Sequence, residues 1–288
     1  MRIHIVVALS ILLSPAAFGQ SVPAAIFTDP PPDSAHPAHS TVLHIPTHGV
    51  QINGLAYQPP GAGPHPTLVI CHGLPGNEKN LDLAQAARRA GWNAVTFNYR
   101  GSWGSPGAFR FAQTLEDADA VLAYLRDPEN AKRLGIDTHR IVFAGHSMGG
   151  WVTVHTAARD HGLMGAILIS AADMSKAADN PRDRVVADMA DDMESLNGVT
   201  AESMADEMRS IGKNDKFENH AAGLVHTPLL ILTSDDGLAP DAAALVNAIK
   251  ALGGHDITAM HVATDHSWSD HRIALESAVL NWLAQRAQ

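Results

Sequence analysis

The chain has 288 residues, of which 45% are hydrophobic and 17% are charged, a composition that suits one globular domain with a full buried core. Its formal net charge is -10, and its 20 lysines and arginines are scattered along the sequence. No basic patch is available to neutralise a phosphate backbone or an anionic membrane surface. We therefore expect no nucleic acid partner.

The first residues predict export. Arg2 precedes an apolar run from Ile3 to Leu13, and small residues stand at Ala17 and Gly19. This is the pattern of a secretory signal peptide, and a run of about a dozen apolar residues is short of the ~20 that span a bilayer. We predict a signal peptide over residues 1–19, a mature protein without a membrane span, and a periplasmic or secreted location. Residues 20–40, rich in Pro, Asp, Ser and His, predict a flexible leader.

Residues 41–288 predict a domain in which strands and helices alternate. A hairpin is expected at Thr41-Ile45 and Val50-Tyr57, and the apolar run Thr67-His72 is typical of a strand covered on both faces. Further strands are expected at Asn93-Asn98, Arg140-Ala144, Met164-Ser170, Pro228-Thr233 and Asp256-Val262. Helices are expected at Leu81-Ala90, Leu115-Leu125, Trp151-Arg159, Asp241-Leu252 and His271-Gln285. Repeated β-α units imply a mostly parallel sheet between layers of helices.

One segment, at about residues 173–223, interrupts this alternation. It lies between two predicted strands, is acidic and polar, and carries the methionine pairs Met189/Met193 and Met204/Met208 at the i, i+4 spacing of a helix. We predict an inserted helical cap. The methionines could line an acyl pocket or pack the cap on the core, and their spacing fits both roles.

A nucleophile is predicted at Ser147. The sequence GHSMG at residues 145–149 fits the G-x-S-x-G pattern, with a predicted strand before it and a predicted helix after it. Its two glycines permit a sharp turn that exposes the serine hydroxyl at the carboxyl edge of the sheet. The N–H of Met148, the next residue, is then an expected donor to the oxyanion of the reaction.

A serine hydroxyl needs an imidazole to accept its proton and a carboxylate to orient that imidazole. Asp235 and Asp236 follow one of the later predicted strands, and His266 follows the last. Both loops are therefore expected at the same sheet edge as Ser147. The sequence predicts a triad of Ser147, His266 and an aspartate, and position alone leaves Asp235 and Asp236 both open.

With GHSMGG, a D-x-x-x-P loop and DHS in this order, the chain resembles the α/β-hydrolase superfamily, in its esterase and prolyl-oligopeptidase-like branch, over nearly all of Thr41-Gln285. The resemblance implies an α/β-hydrolase fold with a mostly parallel central sheet, helices on both faces and an inserted helical cap. In relatives the acid commonly stands four residues before a proline, which implies Asp236 ahead of Pro240. The HGLPG stretch at residues 72–76 resembles the family's oxyanion loop and implies Leu74 N–H as the second donor.

The expected function is a serine hydrolase that cleaves carboxylic esters or related acyl bonds of a small-molecule substrate through an acyl-enzyme, with no cofactor and no metal. The NYRGSWG stretch at residues 98–104 resembles that of prolyl-oligopeptidase-like peptidases, so a peptidase acting on small peptides is an alternative. Within it, Arg100 could bind a substrate carboxylate or form a structural ion pair. A non-catalytic binding protein with the same fold is a third interpretation. The sequence does not predict the oligomeric state.

Overall fold

The computed structural model describes residues 21–211 and 215–287, so the predicted signal peptide lies outside the described residues. Within them, eight strands form one sheet in the order β1-β2-β4-β3-β5-β6-β7-β8. The strands are β1 (His39–Thr47), β2 (Val50–Gln58), β3 (His65–Cys71), β4 (Asn93–Phe97), β5 (Ile136–His146), β6 (Gly165–Ile169), β7 (Leu229–Thr233) and β8 (Ile257–His261). The helices are α1 (Leu81–Arg89), α2 (Phe111–Arg126), α3 (Pro128–Leu134), α4 (Met148–Arg159), α5 (Arg182–Ala190), α6 (Ala201–Ile211), α7 (Ala221–Leu224), α8 (Ala239–Ala251) and α9 (Arg272–Arg286).

The sheet is antiparallel at one end and parallel elsewhere. β1 and β2 form a hairpin in which Thr47 is paired with Val50. The two residues between them, His48 and Gly49, both have positive φ, as a two-residue hairpin turn requires. β2 also runs antiparallel to β4, and every pairing from β4 onward is parallel. The α/β-hydrolase fold with a mostly parallel sheet is therefore confirmed.

Successive side chains of the parallel strands point into two separate hydrophobic cores, one on each face of the sheet. Leu68 and Ile70 of β3 belong to the cluster formed with α1 and α9, whereas Val69 and Cys71 belong to the cluster formed with α2, α4 and the cap. All four side chains are buried. Because successive strand residues point to opposite faces, a strand covered on both faces must be apolar throughout, as β3 is.

The cap occupies the chain between β6 and β7. It contains α5, α6 and α7, with short 3-10 turns at Met174–Asp179 and Phe217–His220. Met189, Met204 and Met208 are buried in the core cluster that the cap shares with the sheet. The methionines therefore pack the cap onto the core, one of the two roles that their spacing allowed.

Three features differ from the sequence-based expectations for the elements. A 3-10 turn at Ala24–Ile26 lies within the predicted leader, where the Arg89 guanidinium donates hydrogen bonds to its carbonyl oxygens, and β1 begins at His39. The helix α3 was not predicted because its seven residues are too short to show a periodic apolar face. Its start is nevertheless encoded, since the Asp127 carboxylate accepts a hydrogen bond from the Asn130 N–H and Pro128 is the first helical residue.

Among the described helices, none combines the length and apolarity that crossing a membrane requires.

Candidate active site

Ser147 lies at the sharp turn between β5 and α4, with φ of 57° and ψ of -125°. A non-glycine residue in this region costs about 1–3 kcal/mol, which the surroundings must offset. Ser147 N–H donates to the Ile169 carbonyl at 3.0 Å, and the Ser147 carbonyl accepts from Gly150 and Ala172. A Cβ on Gly145 would lie 1.9 Å from the Gly149 carbonyl oxygen, so only glycine permits this turn.

The loop after β3 lies against the serine. A Cβ on Gly73 would be 2.7 Å from Ser147 Cβ and 3.3 Å from its Oγ, so the backbone of this loop passes directly beside the hydroxyl. His72 Nδ1 donates to the Gly73 carbonyl oxygen at 2.7 Å. Leu74 follows in the same loop, while Met148 is the first residue of α4, where an N–H has no partner within the helix. The structure thus brings the segment carrying Leu74 next to the turn carrying Met148.

The two aspartates after β7 face different imidazoles. His266 Nδ1 donates to Asp236 Oδ2 at 2.7 Å, and the Asp236 side chain is 6% exposed. His261 Nε2 instead donates to Asp235 Oδ1 at 3.0 Å, and Asp235 is exposed. Because Nδ1 of His266 carries the proton, Nε2 is the acceptor nitrogen of the neutral ring. The structure therefore brings Asp236 to His266 and directs Asp235 away from it.

The pKa of Asp236 lies below its usual value. Burial opposes ionisation, but hydrogen bonds from His266, from the Leu238 N–H and from Ser234 outweigh it. Asp236 is therefore ionised near neutral pH. A carboxylate in this position holds the His266 ring in one tautomer and stabilises the positive charge that the ring gains when it accepts a proton.

His146, which the sequence analysis did not single out, supports the histidine loop. Its ring centroid lies 4.6 Å from that of His266. Its Nε2 lies 2.9 Å from the His266 carbonyl oxygen, and since that oxygen can only accept, His146 Nε2 carries the proton. Burial, and then the nearby His266, lower the pKa of His146 to about 4, so the ring is neutral near neutral pH.

A buried chain of hydrogen bonds joins the ends of β6 and β7 to the histidine loop. Trp268 Nε1 donates to Ser170 Oγ at 3.0 Å, and Ser170 Oγ lies 2.8 Å from Ser234 Oγ. Ser234 also helps to lower the pKa of Asp236. Ser170 and Ser234 each directly follow a strand, which is the only sequence signal that could have singled them out.

The cap is joined to the loop after β3 through the Pro75 carbonyl oxygen. This oxygen accepts hydrogen bonds from Trp103 Nε1 at 2.6 Å and from Ser195 Oγ at 3.0 Å. Trp103 N–H also donates to the Ser195 carbonyl, at 2.9 Å. A surface groove opens between these segments, lined by residues 101, 103–105 and 194–197. The cap, the loop after β4 and the loop after β3 thus meet at one carbonyl group.

Two buried side chains, Arg100 and Cys71, are held within the fold. Arg100 is nearly buried and forms ion pairs with Asp117 at 2.6 Å and Glu116 at 2.5 Å. Since both acids lie on α2, the structure places Arg100 in an ion pair between elements of the fold. Cys71 is fully buried at the end of β3, and burial raises the pKa of its thiol.

This sheet, with its serine at the turn between β5 and α4, defines an α/β-hydrolase fold. Residues 68–280 match the model of the Alpha/beta hydrolase family, and the chain belongs to this family. The quorum-quenching protein AidA of Acinetobacter baumannii is 32% identical over 128 residues, which cover 42% of this chain and 40% of AidA. The chain spans less than half the length of the curated relatives it matches.

Solved structures share the fold at low sequence identity. The carboxylesterase EstE1, cloned from a metagenomic library, has a TM-score of 0.63 at 19% identity, with 88% of this chain and 91% of that chain covered. Dipeptidyl peptidase 4 of Porphyromonas gingivalis has a TM-score of 0.61 at 17% identity, with 87% of this chain and 35% of that chain covered. These likenesses concern the fold.

Proposed function

We propose that this protein is a serine hydrolase that cleaves carboxylic esters or related acyl bonds through an acyl-enzyme. The observation that carries the proposal is the Asp236–His266 hydrogen bond of 2.7 Å, formed at the same sheet edge where the strained turn presents Ser147. Nucleophile, base and orienting acid then come from three loops at the carboxyl ends of strands, as catalysis by this fold requires.

In the proposed reaction, Ser147 Oγ attacks the acyl carbon while His266 Nε2 accepts its proton. The negative charge on the former carbonyl oxygen is stabilised by the N–H groups of Leu74 and Met148. The imidazolium, stabilised by Asp236, then gives its proton to the leaving alcohol, and the acyl-enzyme forms. A water activated by the same imidazole releases the acid and restores Ser147.

Ester substrates are favoured over amides by one comparison. EstE1, whose chain is covered almost entirely, is described as a carboxylesterase, whereas only 35% of the peptidase chain is covered. An amide needs a poorer leaving group to depart, so both substrate classes must be measured. We propose a carboxylesterase-like activity on a small-molecule substrate, with a peptidase as the alternative.

The test is to label the mature protein with a fluorophosphonate, map the modified peptide, and measure hydrolysis of p-nitrophenyl esters and p-nitroanilides that share an acyl group. Ser147→Ala should lower ester turnover by about 10⁴- to 10⁶-fold and abolish labelling. Ser203→Ala, which changes an exposed serine of α6, is the control and should match the wild type.

Either measurement can overturn the proposal. Folded protein that remains unlabelled at Ser147, with equal turnover in the wild type and Ser147→Ala, would assign the chain to the non-catalytic binding class. Faster hydrolysis of the anilides than of the esters, still dependent on Ser147, would replace the esterase by the peptidase.

We also propose that residues 1–19 direct export, on the basis of Arg2, the apolar run and the small residues at Ala17 and Gly19. Expression of the whole chain in a bacterium should yield exported protein that begins at Gln20, measured by intact mass. Leu12→Arg places a charge in the apolar run and should leave uncleaved protein inside the cell. Exported protein of full-length mass would contradict the assignment.

A further inference from the structure

A second cluster of chemically active side chains lies where the cap returns onto α4. His155 is on α4, while Asp215 and His220 belong to the segment that leads from the cap back to the sheet. Their ligand atoms, one from each residue, all lie within 4.8 Å of one another. His155 is about two helical turns, or about 12 Å, along α4 from Ser147, so this cluster is separate from the proposed catalytic site.

The His155 ring is buried and unsatisfied. Its side chain is 6% exposed, and its Nε2 has no hydrogen-bond partner among the residues that the structure describes. Nε2 lies 3.4 Å from Asp215 Oδ2, and the His220 ring centroid is 3.9 Å from that of His155. Trp151 contacts the ring as well, at a centroid distance of 4.6 Å. A buried polar nitrogen without a partner costs about 1–3 kcal/mol. A group bound between this nitrogen, the carboxylate and the second imidazole would remove that cost.

We propose that His155, Asp215 and His220 form a binding site for a divalent transition-metal cation of the Zn²⁺ type. Zn²⁺ holds imidazole nitrogens and carboxylate oxygens at about 2.0–2.2 Å in a tetrahedron, which separates ligand atoms by about 3.4 Å. Asp215 Oδ2 lies 3.4 Å from His155 Nε2, and Asp215 Oδ1 lies 3.1 Å from His220 Nε2, so each distance is close to this separation. Two imidazoles beside one carboxylate favour Zn²⁺ over Mg²⁺ or Ca²⁺, which prefer oxygen ligands.

The cluster is accessible to a cation from solvent. The side chains of Asp215 and His220 are 29% and 22% exposed, which opens a path from solvent to the buried nitrogen. Three protein ligands leave the fourth position for water.

A cation here would connect the cap to α4, the helix that begins directly after Ser147. The return segment is already anchored by Phe217, which is fully buried and whose N–H donates to Asp173 Oδ2 at 3.1 Å. Farther along, a Cβ on Gly223 would lie 2.2 Å from the Ala158 carbonyl oxygen, so α7 lies directly against α4. The cation would join these two elements through side chains and stabilise the fold. This role does not depend on the proposed hydrolase activity.

The experiment uses mature protein treated with a chelator and then titrated with ZnCl₂, with heat of binding and thermal unfolding as the two measurements. His220→Gln is the main variant because its side chain is partly exposed, and Asp215→Asn is the second. His226→Gln changes an exposed histidine nearby and is the matched control. Circular dichroism of the metal-free proteins establishes that each variant folds.

We expect the wild type and His226→Gln to bind one Zn²⁺ that both His220→Gln and Asp215→Asn bind at least about 100-fold more weakly. Saturating Zn²⁺ should raise the melting temperature of the wild type by about 5 °C and leave that of the two ligand variants unchanged. Mg²⁺ should have no such effect. Equal Zn²⁺ affinity in the wild type and a folded His220→Gln would overturn the site, and so would a rise in melting temperature that both share.

Discussion

Asp235 and Asp236 are neighbours with the same side chain, and their surroundings give them different chemistry. Asp236 is nearly buried, accepts the Nδ1–H of His266, and receives further hydrogen bonds that lower its pKa. Asp235 is 63% exposed and faces His261 across the β7–β8 pair. An exposed pair of this kind is screened by water and contributes little, whereas a buried carboxylate fixes the orientation of its partner.

The first prediction follows from this difference. Asp236→Asn should lower kcat for a p-nitrophenyl ester by about 10⁴-fold, because an amide cannot hold the imidazole in the required tautomer or stabilise its positive charge. Asp235→Asn is the matched control, one residue away, and should change kcat by less than about threefold. Steady-state kinetics on both variants decides the assignment, and loss of activity in Asp235→Asn alone would reverse it.

At the scale of elements, the Pro75 carbonyl oxygen joins three segments that the chain keeps far apart. The indole of Trp103, which comes from the loop after β4, and the hydroxyl of Ser195, which comes from the cap, both donate to this oxygen. Pro75 directly follows Leu74, whose N–H is the proposed oxyanion donor. Through these hydrogen bonds the cap helps to hold in place the loop that carries Leu74.

The second prediction tests this coupling. Trp103→Phe removes one hydrogen bond to Pro75 and keeps an aromatic ring, and a neutral hydrogen bond of about 1 kcal/mol corresponds to about a fivefold fall in kcat/KM. Lys79→Met is the control, because Lys79 lies 4.1 Å above the Trp103 ring and donates its hydrogen bond to Asn98 Oδ1, and it should leave kcat/KM near the wild-type value. An equal fall in both variants would show that the position of the indole, and not its hydrogen bond, matters.

Glu276 lies where α9 meets α1, and its carboxyl group loses its proton less readily than usual. Burial, and then the charge of Asp82, raise the pKa of Glu276 to about 7, while Arg272 pairs with Asp82 through two hydrogen bonds. A folded-state pKa above the unfolded value means that the folded state binds more protons between about pH 4.5 and 7. Stability from this group is therefore present at low pH and is lost as the pH rises through this window.

The third prediction is that Glu276→Gln stabilises the protein at pH 8, by on the order of 2 kcal/mol, because the amide carries no charge to bury beside Asp82. The gain should shrink toward pH 5, where the folded protein already holds Glu276 protonated. Urea unfolding at both pH values measures it, with Glu129→Gln on the exposed face of α3 as the control. A gain that is the same at pH 5 and pH 8 would contradict the raised pKa.

At the scale of the whole molecule, neutral histidines are part of the folded interior. Burial lowers the pKa of both His72 and His146 to about 4, and each donates a hydrogen bond to a carbonyl oxygen beside the candidate active site. The unfolded chain protonates these residues near pH 6.5, so it binds more protons than the folded chain between about pH 4 and 6.5. Their contribution to stability therefore falls as the pH is lowered through this window.

The fourth prediction is a loss of unfolding free energy on the order of 1–3 kcal/mol for each buried histidine between pH 6.5 and pH 4. His146→Asn should make this loss smaller, while His139→Asn, at an exposed position of β5, should leave it unchanged. Urea unfolding across the pH series gives both slopes. Identical slopes in the wild type and His146→Asn would show that His146 does not contribute to the acid sensitivity.

Much of the fold follows from local pattern. A strand covered on both faces must be apolar throughout, so β3 and β7 are visible in sequence, and the glycines around Ser147 are required by the close backbone contacts of the turn. The order of serine, aspartate and histidine loops likewise indicated which residues share the sheet edge. By contrast, α3 is too short to show periodicity, although its capping residues are present.

Tertiary structure alone decided the matters that depend on side-chain direction. Asp235 and Asp236 have the same chemistry and nearly the same position in the chain, and only the backbone of the loop after β7 turns one toward His266 and the other toward His261. His155 and His220 lie 65 positions apart in the numbering and meet only because the cap folds back onto α4. Sequence pattern determines which elements form, because periodicity is local, whereas contacts between distant residues depend on how those elements pack.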